Sequence, residues 1–216
     1  VMHLEVGQPS TPAPRRVLEA AKRALDSQVL GYTDALGIPP LREKIARYYK
    51  TRYGIAIDPR RIIVTTGSSG AFLLAFLSAF DVGDKVGLAT PSYPAYKNIL
   101  SALGLCAVDI PVGSCSHFQP TPELLEIYAS DVDGLIVASP SNPTGSMIDA
   151  AGMKALSSWC SRNDIRLISD EIYHGITYGD NAETALSCGP DVIVVNSFSK
   201  YLHHFDRHDN IWFFVL

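Results

Sequence analysis

Hydrophobic positions recur at helical spacing in the first quarter of the chain. Apolar residues three or four positions apart predict helices over residues 14–24 and 41–53. The second helix is expected to end at Gly54, since glycine is the residue most often found just past a helix C-terminus. Residues 31–37 are predicted to form the loop between the two helices.

From residue 61 onward, short apolar runs alternate with helical patterns. The predicted strands are 61–66, 85–90, 105–112, 135–138, 165–168 and 192–195. The predicted helices are 71–80, 94–103, 123–128 and 150–162. Because the strands are almost continuously apolar and alternate with helices, they predict an α/β protein. Its mostly parallel sheet is covered on both faces, which makes three αβα layers.

Composition adds limits to this prediction. The 216 residues are 47% hydrophobic and 19% charged, which is enough apolar material for a core. The longest apolar stretch, 71–80, is too short to span a membrane. The net charge of −4 and the lack of basic runs argue against nucleic acid as a partner. The four scattered cysteines and the absence of a signal peptide pattern favour a cytoplasmic protein with reduced thiols.

Chemically capable residues follow five of the predicted strands. In open parallel sheets, ligands bind beyond the carboxyl ends of the strands. The residues in those positions are Gly67-Ser68-Ser69, Tyr93, Asn142, Asp170 and Lys200. Together they offer an anion-binding turn, an aromatic ring, an amide, a carboxylate and an amine.

Each of these residues also has an ordinary structural interpretation. Ser68 and Ser69 could be helix-capping residues, and Asn142 before a proline could be a turn residue. Asp170 could belong to a structural ion pair, and most lysines are solvated. The chain contains neither a GxGxxG nor a GxxxxGK[ST] motif, which argues against dinucleotide and P-loop sites. Only the combination of the five strand ends therefore indicates a binding site.

Three ordered motifs identify a family. Ser-Pro-Ser-Asn-Pro-Thr-Gly at 139–145, Ser-Asp-Glu-Ile-Tyr at 169–173 and Ser-Phe-Ser-Lys at 197–200 resemble the class I/II aminotransferases. These are pyridoxal-phosphate-dependent enzymes of fold type I. Residues 7–9, 32–33, 37–42 and 67–69 also look like that family, so the resemblance covers residues 5–200.

The resemblance implies a set of catalytic roles. Lys200 would hold pyridoxal 5'-phosphate as an aldimine and then shuttle the proton between the substrate's Cα and the cofactor. Asp170 would pair with the pyridine nitrogen. Tyr173 and Asn142 would bind the phenolic oxygen, and Tyr93 would stack on the ring. The implied reaction moves an amino group from an amino acid to a 2-oxo acid.

The resemblance also implies contacts with the phosphate and the substrate. Gly7 and Asn142 would bind the substrate. Tyr32 would reach the phosphate of a neighbouring subunit, which implies a homodimer for the full-length protein. The residues expected to bind the phosphate within the same subunit are Ser68, Ser69 and Ser197.

The sequence departs from the family pattern after Lys200. The family continues with a glycine and then an arginine eight residues after the lysine, whereas Asp206 and His208 stand there in this chain. The expectation is therefore a truncated or frame-shifted product. It would comprise an N-terminal segment 1–30 that packs with a missing small domain, a partial cofactor-binding domain 31–200 and an aberrant tail 201–216. Such a chain is expected to bind cofactor weakly and to show no useful transamination.

Other interpretations remain open at this point. A pyridoxal-phosphate lyase would share Asn142, Asp170, Tyr173 and Lys200, and a non-catalytic remnant would explain the unusual tail. A sensor domain of a transcription regulator would need a helix-turn-helix module, for which no pattern is found. The histidines around Asp206 resemble a metal site, but an aberrant tail explains them better, so no metal is expected.

Overall fold

The computed structural model describes residues 12–179 and 181–201. The helices are α1 (Arg15–Ser27), α2 (Pro39–Tyr53), α3 (Ser68–Ala79), α4 (Ala95–Ala102), α5 (Pro122–Tyr128) and α6 (Ala150–Arg162). The strands are β1 (Lys85–Thr90), β2 (Cys106–Pro111), β3 (Gly134–Ala138), β4 (Arg166–Asp170) and β5 (Ile193–Val195). Short 3₁₀ helices cover Pro59–Arg61, Ser114–Ser116 and Ala185–Cys188.

The strands form a parallel sheet in the order β2-β1-β3-β4-β5. Ala138, the last residue of β3, lies opposite Asp170 of β4, which lies opposite Val195 of β5. The carboxyl ends of these three neighbouring strands therefore meet at one edge of the sheet, as the sequence predicts.

Neighbouring residues on each strand pack into different cores. Leu167 of β4 and Val194 of β5 join a cluster with residues of α5 and α6. Ile168 and Val195, the next residues along, join a second cluster with residues of α3 and α4. Because side chains alternate between the faces of a strand, helices cover both sides of the sheet. The predicted three-layer αβα architecture is confirmed.

Local sequence signals set several helix ends. Two prolines, Pro39 and Pro40, occupy the first positions of α2, and Gly54 ends it with a φ of 75° that glycine adopts without strain. The Asp149 side chain accepts a hydrogen bond from Gly152 N at 2.7 Å and so caps the start of α6.

The strand predicted over 61–66 is wrong. Residues 59–61 form a 3₁₀ helix, and the following residues lie outside the strands of the sheet. Ile62 forms only a single β-bridge and is fully buried in a cluster with Ile45 and Tyr49 of α2, whereas the residues that follow it are half-buried or exposed. The backbone of Val64 bonds to the loop before α2, where Leu36 O accepts from Val64 N at 3.0 Å. Burial, rather than strand pairing, explains why this segment is apolar.

Helix α1 differs from the other helices in that it contains no buried residue. Leu25 on this helix is 68% exposed, and Val29 just beyond it is 99% exposed. The proposed division at residue 30 stays a prediction. Among the residues that the structure describes, no helix is both long enough and apolar enough to cross a membrane.

Candidate active site

Asp170 lies at the carboxyl end of β4, an inner strand between β3 and β5, and its side chain is buried. One carboxylate oxygen accepts a hydrogen bond from the Tyr96 hydroxyl, and the other accepts from Ile172 N at 3.0 Å. Burial raises the pKa of Asp170 from 3.8 to about 6, since neither hydrogen bond fully replaces the lost hydration. The nearby Glu171 adds to this rise, and none of these three neighbours is a cation. The structure therefore presents a buried acid that a cationic or N–H-bearing ligand would stabilise.

Tyr96 is a site residue that the sequence did not indicate. It lies on α4, one helical turn after Tyr93, and is almost fully buried. Its ring packs edge-on against Tyr93 at 5.6 Å and against Phe72 of α3 at 5.0 Å between centroids. Desolvation and the Asp170 carboxylate raise the pKa of Tyr96 well above its usual range, which keeps it a hydrogen-bond donor. The only sequence signal is its spacing of three residues from Tyr93.

Tyr173 and Asn142 come together from two different loops. Tyr173 follows β4, and Asn142 lies in the segment 139–148 after β3, which we call the Asn142 loop. Partial burial and the charge of Asp170 raise the pKa of the Tyr173 phenol, whereas a hydrogen bond with the Asn142 side chain lowers it. The two side chains also line an open cavity of about 470 Å³. A phenol and an amide thus meet beside Asp170.

Ser197 and Lys200 follow β5, the neighbour of β4. Ser197 is buried, and its hydroxyl lies 2.7 Å from that of Ser199 and accepts from Ser199 N at 3.0 Å. The preceding Asn196 donates to the Tyr49 hydroxyl at 3.3 Å, which anchors the segment to α2. Lys200 is half-buried directly after this turn.

Ser68 and Ser69 form the first turn of α3. Gly67 precedes them with a φ of 90°, and no side chain caps the helix start. The backbone N–H groups of a first helical turn have no intrahelical partner and attract anions. The second turn of α3 carries Phe72, which touches Tyr96, so this helix starts on the same side of the molecule as Asp170. Ser68 and Ser69 are therefore helical residues, whereas the sequence places them in a turn before a helix predicted over 71–80.

The remaining candidates differ in where they lie. Tyr32 lies on the loop after α1 with its side chain fully exposed. Gly7 and the histidines around Asp206 lie outside the described residues. Tyr93 contacts Tyr96 and so joins the side chains around Asp170, and this residue is 38% exposed.

Glu171 is a second buried carboxylate, next to Asp170 in sequence but on the other side of the strand end. Its Oε1 accepts from Ala185 N at 2.8 Å and from Thr184 Oγ1 at 3.0 Å. Desolvation raises the pKa of Glu171 to about 7, against the effect of these bonds. Since Thr184 and Ala185 lie in the segment before β5, these two hydrogen bonds tie that segment to the end of β4.

The fold is a parallel sheet between two layers of helices, and polar side chains gather at the carboxyl ends of its strands. This arrangement defines an α/β protein with a ligand site at those strand ends. Comparison with known proteins identifies the family. The family model "Aminotransferase class I and II" matches residues 1–203. The chain belongs to the class I and II aminotransferase family, whose members depend on pyridoxal phosphate.

Individual relatives agree with this assignment. Valine–pyruvate aminotransferase of Mycobacterium tuberculosis is 50% identical over 203 residues, which are 93% of this chain and 52% of that protein. Aspartate aminotransferase of Pyrococcus horikoshii is 35% identical over the same shares of the two chains. The chain thus spans about half the length of the curated relatives it matches.

Solved structures of aminotransferases share the fold. An aminotransferase from M. tuberculosis superposes with a TM-score of 0.87 at 51% identity, covering 91% of this chain and 54% of that one. Aspartate aminotransferase of Thermus thermophilus with maleate superposes with a TM-score of 0.86 at 30% identity, covering 90% and 52%. The aminotransferase fold that the resemblance implies is therefore confirmed.

The residues at the sheet edge fit pyridoxal phosphate chemically. The buried Asp170 suits a protonated ring nitrogen, because such a partner offsets the cost of burying its charge. The phenol of Tyr173 and the amide of Asn142 can both donate to a phenolic oxygen. The first turn of α3 suits a phosphate group.

Proposed function

We propose that this chain carries the cofactor site of a pyridoxal-phosphate-dependent aminotransferase. The observation that supports this most strongly is Asp170, a buried carboxylate with a raised pKa at the end of the inner strand β4. A carboxylate in that position stabilises the fold poorly when it is ionised, so a cationic ligand partner accounts for it better than a structural role.

The proposed division of labour follows the positions of the side chains. When bound, pyridoxal phosphate supplies an electron sink for the carbanion formed at the substrate's Cα. Asp170 keeps the proton on the ring nitrogen, which preserves that property. Tyr173 and Asn142 bind the phenolic oxygen, and Tyr93 covers one face of the ring. Lys200 anchors the cofactor and supplies the amine that moves the proton at Cα.

Phosphate binding is assigned to two elements. The first element is the start of α3, where the N–H groups and hydroxyls of Ser68 and Ser69 would bind the phosphate. The second is the turn after β5, where the Ser197 hydroxyl would bind it. Tyr32 is fully exposed in its own chain. We assign it to the phosphate of a second copy, so the active protein is proposed to be a homodimer. Gly7, with Asn142, is assigned to the substrate.

The proposed substrates are an amino acid and a 2-oxo acid. A narrower proposal, valine as amino donor and pyruvate as acceptor, is supported by the relative of that name at 50% identity. This support applies to the part of the substrate pocket that both proteins share, because this chain matches 52% of that relative.

Trapping the lysine adduct tests the proposal. The purified chain is incubated with excess pyridoxal phosphate and reduced with borohydride, and the modified lysine is located by peptide mass spectrometry. We expect modification at Lys200 and its loss in Lys200→Ala. Lys154→Ala, on the exposed side of α6, is the matched control and should leave the adduct unchanged. Modification spread evenly over surface lysines, with none enriched at Lys200, would overturn the proposal.

A second measurement separates the reaction classes. With valine and pyruvate, an aminotransferase produces alanine, whereas a lyase releases ammonia. Alanine formation would support amino-group transfer, and ammonia release without alanine would favour a lyase of the same fold. That this 216-residue chain binds cofactor weakly and has no useful transamination stays a prediction, which a titration with pyridoxal phosphate and the same assay check.

A further inference from the structure

Two buried polar side chains contact the backbone of the Asn142 loop: Gln119, which precedes the loop in the sequence, and His174, which follows it. Neither residue has a role in the proposed chemistry. Gln119 is 5% exposed and His174 is 2% exposed. Burying an amide or an imidazole costs free energy unless its polar atoms are hydrogen-bonded, so their partners reveal what they do.

Gln119 bonds to both ends of the loop. Its Nε2 donates to Ala138 O at 3.0 Å, just before the loop, and to Ser146 O at 2.9 Å, near its end. Inside this bridge, Ser141 N donates to Ser146 O at 2.9 Å and Gly145 N donates to Ser141 O at 2.8 Å. Gln119 thus closes the loop at its base, and Asn142 lies within the closed part.

His174 bonds to the first residue of the loop. Its Nε2 lies 3.0 Å from Ser139 O, and a carbonyl only accepts, so Nε2 carries the hydrogen. Its Nδ1 then accepts from the Tyr53 hydroxyl at 2.9 Å. Burial lowers the pKa of His174 to about 4, which agrees with a neutral ring that donates from Nε2 and accepts at Nδ1.

The position of His174 in the chain connects two parts of the site. It directly follows Tyr173 and lies four residues after Asp170. Ser139 N in turn donates to Asp170 O at 3.1 Å. The His174 ring therefore fixes the Asn142 loop against the turn that carries Tyr173, and Tyr53 of α2 holds the ring in place.

We propose that Gln119 and His174 are positioning residues that hold the Asn142 side chain against Tyr173, so that both meet the same oxygen of the ligand. The identity of that oxygen, the phenolic oxygen of pyridoxal phosphate, rests on the proposed function. The fixing of the loop does not, because it depends only on contacts within the chain.

Hydrogen exchange of the cofactor-free chain tests the fixing of the loop. In His174→Leu and Gln119→Leu, we expect the amides of Ser141 and Gly145 to exchange at least about tenfold faster, since their loop loses an anchor. His174→Gln supplies an N–H donor of similar reach and should restore slow exchange. His117→Gln, at an exposed histidine, is the control. Unchanged exchange in both leucine variants, with the fold intact by circular dichroism, would overturn the proposal.

The colour of bound pyridoxal phosphate tests the effect on the ligand. Hydrogen bonds to a phenolic oxygen stabilise its ionised form, so their loss raises the pH at which the absorption spectrum changes. We expect His174→Leu to raise this midpoint by at least about half a pH unit and His174→Gln to restore it. A midpoint that tracks only the melting temperature of each variant would contradict a positioning role. Absence of any coloured complex with the unmutated chain would instead count against the proposed function, and the exchange experiment would still decide whether the loop is anchored.

Discussion

Single side chains at the strand ends could be recognised from the sequence because they follow apolar runs. Asp170, Asn142 and Lys200 all stand directly or soon after a predicted strand, where parallel sheets place ligands. Tyr96 and His174 could not be recognised in this way. Tyr96 bonds to a residue 74 positions later, and His174 bonds to one 35 positions earlier. Such pairings are determined by how helices pack on the sheet, which no local pattern encodes.

The ionised Asp170 is expected to destabilise the cofactor-free chain, although the same charge is proposed to bind the cofactor. Its pKa is about 6 in the folded chain and 3.8 for an ordinary aspartate. A raised pKa means that the folded chain binds the proton more tightly than the unfolded chain does. The ionised carboxylate therefore costs stability, and this cost develops as the pH rises from about 4 to about 6.

Asp170→Asn is expected to stabilise the cofactor-free chain at pH 7.5 by roughly 1–3 kcal/mol. Asparagine carries no charge to desolvate and keeps one acceptor oxygen for the Tyr96 hydroxyl. Near pH 4 the gain should fall towards zero, because aspartate is then protonated in the folded chain. Urea unfolding at both pH values measures the difference, with Asp26→Asn on the exposed surface of α1 as the control. A variant less stable than the unmutated chain at pH 7.5 would show that the charge of Asp170 is already compensated.

At the level of elements, hydrophobic periodicity located the sheet and most helices to within a few residues. The predicted helix 150–162 and the predicted strand 85–90 coincide with α6 and β1. The segment 61–66 shows the limit of such patterns. A run of β-branched residues indicates burial, but a strand also needs a neighbour to pair with. The edge strand β5 pairs with β4 and with no strand formed by residues 61–66.

Ile62 should therefore behave as a core residue although it lies outside the sheet. Ile62→Ala is expected to lower the free energy of unfolding by roughly 2–4 kcal/mol, because the fully buried side chain packs against Ile45 and Tyr49. Ile127 on α5 is 68% exposed, so Ile127→Ala is the matched control and should change stability little. Equilibrium urea unfolding monitored by circular dichroism gives both values. Equal effects of the two substitutions would contradict the packing of this segment.

At the scale of the whole molecule, the fold and the family could be predicted from ordered motifs spread over most of the chain. The family match over residues 1–203 and the parallel sheet confirm that prediction. The roles of individual residues, the homodimer and the cytoplasmic location stay predictions. The geometry supports a single site, because the ends of β3, β4 and β5 are neighbours at one edge of the sheet. Asn142 follows β3, Asp170 and Tyr173 lie at the end of β4, and Ser197 and Lys200 follow β5.

The most direct measurement concerns the ring nitrogen of the cofactor. Pyridoxal phosphate labelled with ¹⁵N at that position is bound to the chain, and its NMR chemical shift is followed at pH 8 in the unmutated protein and in Asp170→Asn. We predict a protonated nitrogen beside Asp170 and a deprotonated one beside asparagine, since only the carboxylate stabilises the positive ring. The same shift in both proteins, at a deprotonated value, would contradict the central claim that Asp170 is buried at the end of β4 to hold this ligand.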